Sequence, residues 1–192
     1  MFIKVPPKRY VAARASGGAA PFTPCIGSIV YTGMVYGTIE HSGVYVGNGE
    51  IVELEGTGHI KKVSASKFLK TPLQGRAEVL KAATTRALEV LGKKDMAALL
   101  GALPLEHMAS DCWSIYVSSR DGRAVGSRQA AQRALEMVGR SRDYNLVLDN
   151  CHQFSSGCLT GNFENSDNFL WMLKETAKKI IGADDDWRKW TW

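Results

Sequence analysis

Long apolar runs are missing from this sequence. No stretch of roughly 18 consecutive apolar residues occurs, which excludes an ordinary membrane-spanning helix. The opening MFIKVPPKRYVAARASGG carries basic residues but no apolar segment of signal-peptide length. A soluble, cytoplasmic protein is therefore the expectation, with any export by a leaderless route. The four cysteines, at positions 25, 112, 151 and 158, form no CxxC pair. With the histidines they match no common zinc-ligand spacing, so neither a metal nor another cofactor is expected. A chain of 192 residues does not need a disulfide scaffold either, and reduced thiols are expected. No block of lysine and arginine is dense enough for a nucleic-acid arm, which argues against nucleic acid as a partner. Internal repeats and low-complexity tracts are absent too.

The remaining composition is that of one globular domain, 45% hydrophobic and 22% charged. A net charge of +5 gives a mildly basic surface that favours anionic partners such as phospholipid headgroups.

The first 24 residues, rich in Pro, Gly and Ala, read as a flexible arm. GSIVYT (27–32) reads as a strand, with a Gly-containing turn after it. EHSGVYVGNGEIVELEG (40–56) reads as a hairpin, and HIKKVSASKF as a continuation and exit of the small sheet. From about Gly75 the period changes: Leu80, Ala83, Ala87 and Leu91 fall at helical spacing, and KKDMAALLGAL adds a second helical piece. Residues 105–119 are ambiguous, RDGRAVG reads as a loop, and the whole stretch near 75–126 is taken as a helical insertion. Ser127 caps a helix that Gly139 stops, and a last amphipathic helix runs from about Asp167 to Ile181. Residues 183–192 form a Trp-rich tail. Strands first and helices after them predict an α+β fold, a small antiparallel sheet packed against a helical half.

Parity in the hairpin decides which residues share a face with His41. With Asn48-Gly49 as a two-residue turn, Val44 would pair with Glu53 and His41 would face the opposite side. With Gly47-Asn48-Gly49 as a three-residue loop, Gly43 pairs with Glu53 and His41 with Glu55. The second register puts Val44, Val46, Val52 and Leu54 on one apolar face, and it is the one adopted. His41, Gly43, Tyr45, Glu53 and Glu55 then share the other face. A carboxylate diagonal to an imidazole can orient a general base, and parity leaves Glu53 and Glu55 both open.

The second constellation is DNCHQFSSGC (149–158). Asp149 or Asn150 can cap a helix that starts at Cys151, placing the thiol where unpaired N–H groups favour an anion. Cys158, two turns on, reads as a small core residue. His152 points about 100° away from Cys151 and is a poor candidate for its base. Locally, a buried structural Cys151 and a nucleophile remain equally open.

Three blocks together resemble the lecithin:retinol acyltransferase-like family of circularly permuted papain-like thiol enzymes: GSIVYT, HSGVYVGNGEIVEL and YNLVLDNCHQFSSGCLTG. The resemblance implies a permuted papain-like domain over residues 25–182, with Cys151 as nucleophile at a helix N-terminus and His41 as its base. Glu53 stands where these acyltransferases usually carry a second histidine, so the resemblance favours it over Glu55. Tyr45 and Asn150 are candidates for the pocket or oxyanion site. After Cys151, His-Gln replaces the more familiar Glu-His. The implied activity is acyl transfer or hydrolysis on lipid esters, of phospholipase A or acyltransferase type, with phospholipid as partner and peripheral membrane contact by the C-terminal tryptophans. Two rival expectations are a peptidase or amidase acting on peptide or cell-wall amides, and a non-catalytic binding module.

Overall fold

The computed structural model describes residues 21–34, 39–70, 114–142 and 150–191. Its centre is a six-stranded antiparallel sheet in the order β4-β3-β2-β1-β5-β8. The strands are β1 (Ile29–Met34), β2 (Ile39–Gly47), β3 (Glu50–Leu54), β4 (Ile60–Ser64), β5 (Ile115–Val117) and β8 (Arg188–Lys189). A separate two-stranded ribbon, β6 (Ser119–Arg120) and β7 (Arg123–Ala124), follows β5. Its turn residues Asp121 and Gly122 both have positive φ, so the stretch read as a loop is a tight hairpin. Four helices complete the described fold: α1 (Ala65–Phe68), α2 (Arg128–Met137), α3 (Cys151–Thr160) and α4 (Leu170–Ile181). The result is the α+β class expected from the sequence.

Both sheet faces are covered. On one face Ile29, Val44, Val52 and Leu54 pack against Ala130 and Ala134 of α2, Phe154, Cys158 and Leu159 of α3, and Leu173 and Ala177 of α4. On the other, Val30, Ile51, Val63, Ile115 and Val117 meet Phe68, Leu69 and Trp190. Each face reads as every second residue of β-branched strands, as sheet geometry requires.

Gly43 pairs with Glu53, the expected register. The route to it differs from the expected three-residue loop. Asn48 and Gly49, both at positive φ, make a two-residue turn, and an irregularity between Tyr45 and Gly47 takes up the extra residue. A bulge and a longer loop shift parity by the same single residue, so the apolar alternation could not separate them.

Three boundaries change. Residues 115–117 belong to the main sheet and 119–124 to the ribbon, so a helical insertion does not extend to residue 126. The helical pieces expected over 76–91 and 93–103 lie outside the described residues. The end of the expected arm is tied down: the Phe22 N–H donates to Thr191 Oγ1, and the Thr191 N–H to the Phe22 carbonyl. The Trp-rich tail is part of the fold, since the Trp190 N–H donates to the Ile115 carbonyl while Trp187 and Trp190 are 6% and 8% exposed. Those two tryptophans are packed into the core and unavailable to a bilayer. No helix among the described residues is long and apolar enough to cross a membrane.

Candidate active site

The site forms where β2 passes the N-terminus of α3. Asn150 is the N-cap: its Oδ1 accepts from the His152 and Gln153 N–H groups. Gly161 closes the helix in the left-handed conformation, and Arg133 of α2 donates to the Cys158 and Leu159 carbonyls there. Both ends are fixed, so the first residue, Cys151, is held at a defined height against the strand.

His41, on β2, lies between two partners. Its Nε2 is 2.7 Å from Glu53 Oε2, and the imidazole lies beside the Cys151 thiol, close enough for their charges to act on each other. Phe68 packs its ring centroid 4.9 Å from that of the imidazole, on the side of the hairpin that Gly43 leaves open. A Cβ at Gly43 would come within 2.7 Å of Ile51 and 3.1 Å of Phe68, so glycine there lets the ring close over the histidine. Glu53 is fully buried, His41 is 6% exposed and Cys151 3%.

Burial opposes charge on all these groups, and specific contacts overcome it. For His41, burial alone would lower the pKa, yet the charge and hydrogen bond of Cys151 and those of Glu53 raise it to about 10. For Cys151, burial would raise the pKa; the charge and hydrogen bond of His41, then the backbone N–H and hydroxyl of Ser42, bring it below the ordinary thiol value. Each of the two groups thus favours the charged form of the other. Cys158, by contrast, is pushed upward by burial and lies in the core, the position expected of a small apolar residue.

The other expected residues fall differently. Glu55 is on the surface, bonded to Lys61 and Thr57, and does not reach the imidazole. Tyr45 is not at the sulfur: its hydroxyl accepts from the Gly49 N–H at the hairpin end, and its ring meets Trp190 edge-on. Asn150 is a cap and not a free oxyanion donor, because its Nδ2 donates to the Asn168 carbonyl at 2.7 Å. The cap also takes two of the N–H groups expected to hold an oxyanion, leaving Cys151's own N–H as the first-turn donor not taken by it.

Ser42 and His152 were missed as neighbours of Cys151: the serine bonds its carbonyl and the histidine bonds the serine. Ser42 Oγ donates to the Cys151 carbonyl at 2.9 Å and lies 3.0 Å from both His152 Nδ1 and Ser155 Oγ. The signal was present: Ser42 has the parity of Val44 and so must face α3, where a buried hydroxyl needs partners.

A thiol at a helix N-terminus, in contact with an imidazole that a third group orients, is the equipment of thiol acyl-transfer enzymes. The chain belongs to the lecithin retinol acyltransferase family, whose model matches residues 26–164. Membership points to acyltransferase-type thiol chemistry. No curated protein and no solved structure gives a significant match.

Proposed function

We propose that the protein is a cysteine-dependent enzyme of phospholipase A or acyltransferase type, acting on lipid esters through a thioester. Cys151 is the nucleophile, His41 its acid–base partner and Glu53 the group that orients the imidazole. The observation that carries this reading is the position of His41, bonded to a buried carboxylate and set beside a buried thiol. The order histidine strand first, cysteine helix last supports a circularly permuted papain-like domain.

In the forward step the Cys151 thiolate attacks the ester carbonyl carbon, and the oxyanion gathers at the Cys151 N–H. The His41 imidazolium gives its proton to the departing alkoxide as the carbon–oxygen bond breaks, leaving an acyl thioester. Neutral His41 then takes a proton from water or an acceptor hydroxyl as that oxygen attacks the thioester. The thiolate leaves, and the pair returns to its starting charges. Glu53 opposes loss of the imidazolium throughout. No metal or cofactor enters either step. With Cys151 only 3% exposed, an acyl chain must displace part of the cover to reach the sulfur.

Contact with a lipid surface moves, in this proposal, from the C-terminal tail to the start of α4. Phe169 and Trp171 are 56% and 65% exposed, and they follow Asn168, whose carbonyl holds the cap beside Cys151. Aromatic side chains at that place suit the membrane interface.

The test is incubation of the purified protein with phosphatidylcholine vesicles and, separately, with a peptide mixture, followed by product mass analysis. Free fatty acid or transferred acyl groups from wild type but not from Cys151→Ser are expected. Peptide cleavage without lipid products would replace the ester by an amide. No product from a folded protein would leave a binding module.

A further inference from the structure

The buried group behind the nucleophile has more hydrogen-bonding capacity than a cap or a core requires. Ser42, Ser155 and His152 are all at least nine-tenths buried, and all converge on Ser42 Oγ. Burial, then the charge of His41, pushes the His152 pKa down to about 3, so its ring is neutral. A neutral imidazole carries one N–H, and a serine oxygen offers one hydrogen and two lone pairs. If His152 Nδ1–H and the Ser155 hydroxyl both donate to Ser42, its lone pairs are filled. Its single hydrogen then has only Cys151 to go to.

That hydrogen goes to the Cys151 carbonyl oxygen, at 2.9 Å. The bond runs from β2 to the first residue of α3, so it fixes the height of the nucleophile against the strand that carries His41.

We infer that Ser42 is a positioning residue for the nucleophile: held by His152 and Ser155, it donates to the Cys151 carbonyl and keeps the thiol in register with His41. This deepens the function proposed above and rests on it. No bond to Ser42 forms or breaks. His152 acts only as the fixed donor that keeps the serine hydrogen aimed at Cys151. It also gives a use to the His-Gln that follows the cysteine in this chain.

The test measures the pH dependence of Cys151 alkylation by iodoacetamide, which needs no substrate. The ionisable groups facing the sulfur are His41 and, behind them, Glu53 and His152, with Glu40 contributing its carbonyl. Without that tie the thiol should drift from His41, whose charge lowers its pKa, and the acid inflection should rise by about one pH unit in Ser42→Ala. Ser42→Thr, which restores a hydroxyl, should return much of the shift. Should Ser42→Ala not fold, His152→Leu against His152→Asn reads the same contact from the helix side: only leucine, lacking a donor, should raise the inflection. Unchanged inflections in Ser42→Ala and His152→Leu would overturn the role of Ser42 and leave the nucleophile standing. A wild-type thiol that titrates as an ordinary cysteine would instead overturn the nucleophile itself.

Discussion

Replacing Glu53 by glutamine keeps the shape of the side chain and removes its charge. In the wild type, Glu53 Oε2 accepts from His41 Nε2 at 2.7 Å in a fully buried setting. A hydrogen bond to a charged group is worth about 1.5–3 kcal/mol net, and a neutral one about 0.5–1.5. The difference, about 1–2 kcal/mol, corresponds to roughly one pKa unit. Because burial pulls the His41 pKa down and Cys151 still lifts it, the variant's imidazolium should lose its proton about one unit below the wild-type value near 10. The acid inflection belongs to the sulfur and should barely move, since Glu53 acts on the sulfur through the imidazole. With only four histidines in the chain, an NMR titration of the imidazole signals can follow His41 directly. Glu55→Gln is the control, because Glu55 spends its carboxylate on Lys61 and Thr57. An unchanged His41 titration in Glu53→Gln, or an equal change in Glu55→Gln, would refute the assignment of the orienting carboxylate.

Linkage sets the pH range over which the ion pair supports the fold. The raised His41 pKa contributes stability that is full below 6.5 and lost as pH climbs to about 10, whereas the lowered Cys151 pKa contributes stability present above 9.0 and lost as pH falls through its folded value. Just below 9.0, where both groups are titrating, the two slopes cancel, so the stability difference between wild type and the Cys151→Ala/His41→Ala double variant should be flat there and shrink as pH climbs from 9.0 towards 10, by denaturant unfolding. Arg133→Met should cost about 1.5–3 kcal/mol, because one guanidinium closes the C-terminus of the nucleophile helix with two carbonyl bonds. A thermal midpoint equal to wild type would show the bonds to be replaceable by water. Replacing Phe169 and Trp171 together by alanine should weaken binding to phospholipid vesicles roughly tenfold in a sedimentation assay, with the fold unchanged. Equal binding would move the lipid contact elsewhere.

Much of this site was legible in the sequence because its parts obey short-range rules. Strand parity put Gly43 opposite Glu53 and His41 diagonal to it, and the Asn-Cys step put the thiol at a helix start. Parity fixed the side of the sheet but not how the extra residue was accommodated, which is why a bulge stood in for the longer loop. The choice between Glu53 and Glu55 needed depth, which parity does not report. Lys61 and Thr57 hold Glu55 at the surface while Glu53 is fully buried against His41. The expectation for Tyr45 and Asn150 was a place at the pocket or oxyanion site. Each instead serves a local backbone need, Tyr45 at the hairpin turn and Asn150 at the cap. The tail misled for a related reason: tryptophans suit a membrane interface and a protein core alike, and only the pairing of β8 with β5 decides between them. The Ser42–His152 contact joins residues 110 apart, which no local pattern could bring together.

The most direct test of the account is the intact mass of the protein after brief exposure to phospholipid and rapid acid quench. A mass increase of one acyl group, absent in Cys151→Ser and much slower to form in His41→Ala, is the predicted result. A wild-type protein that stays unmodified while converting lipid, or a Cys151→Ser variant that acquires the same adduct, would contradict it.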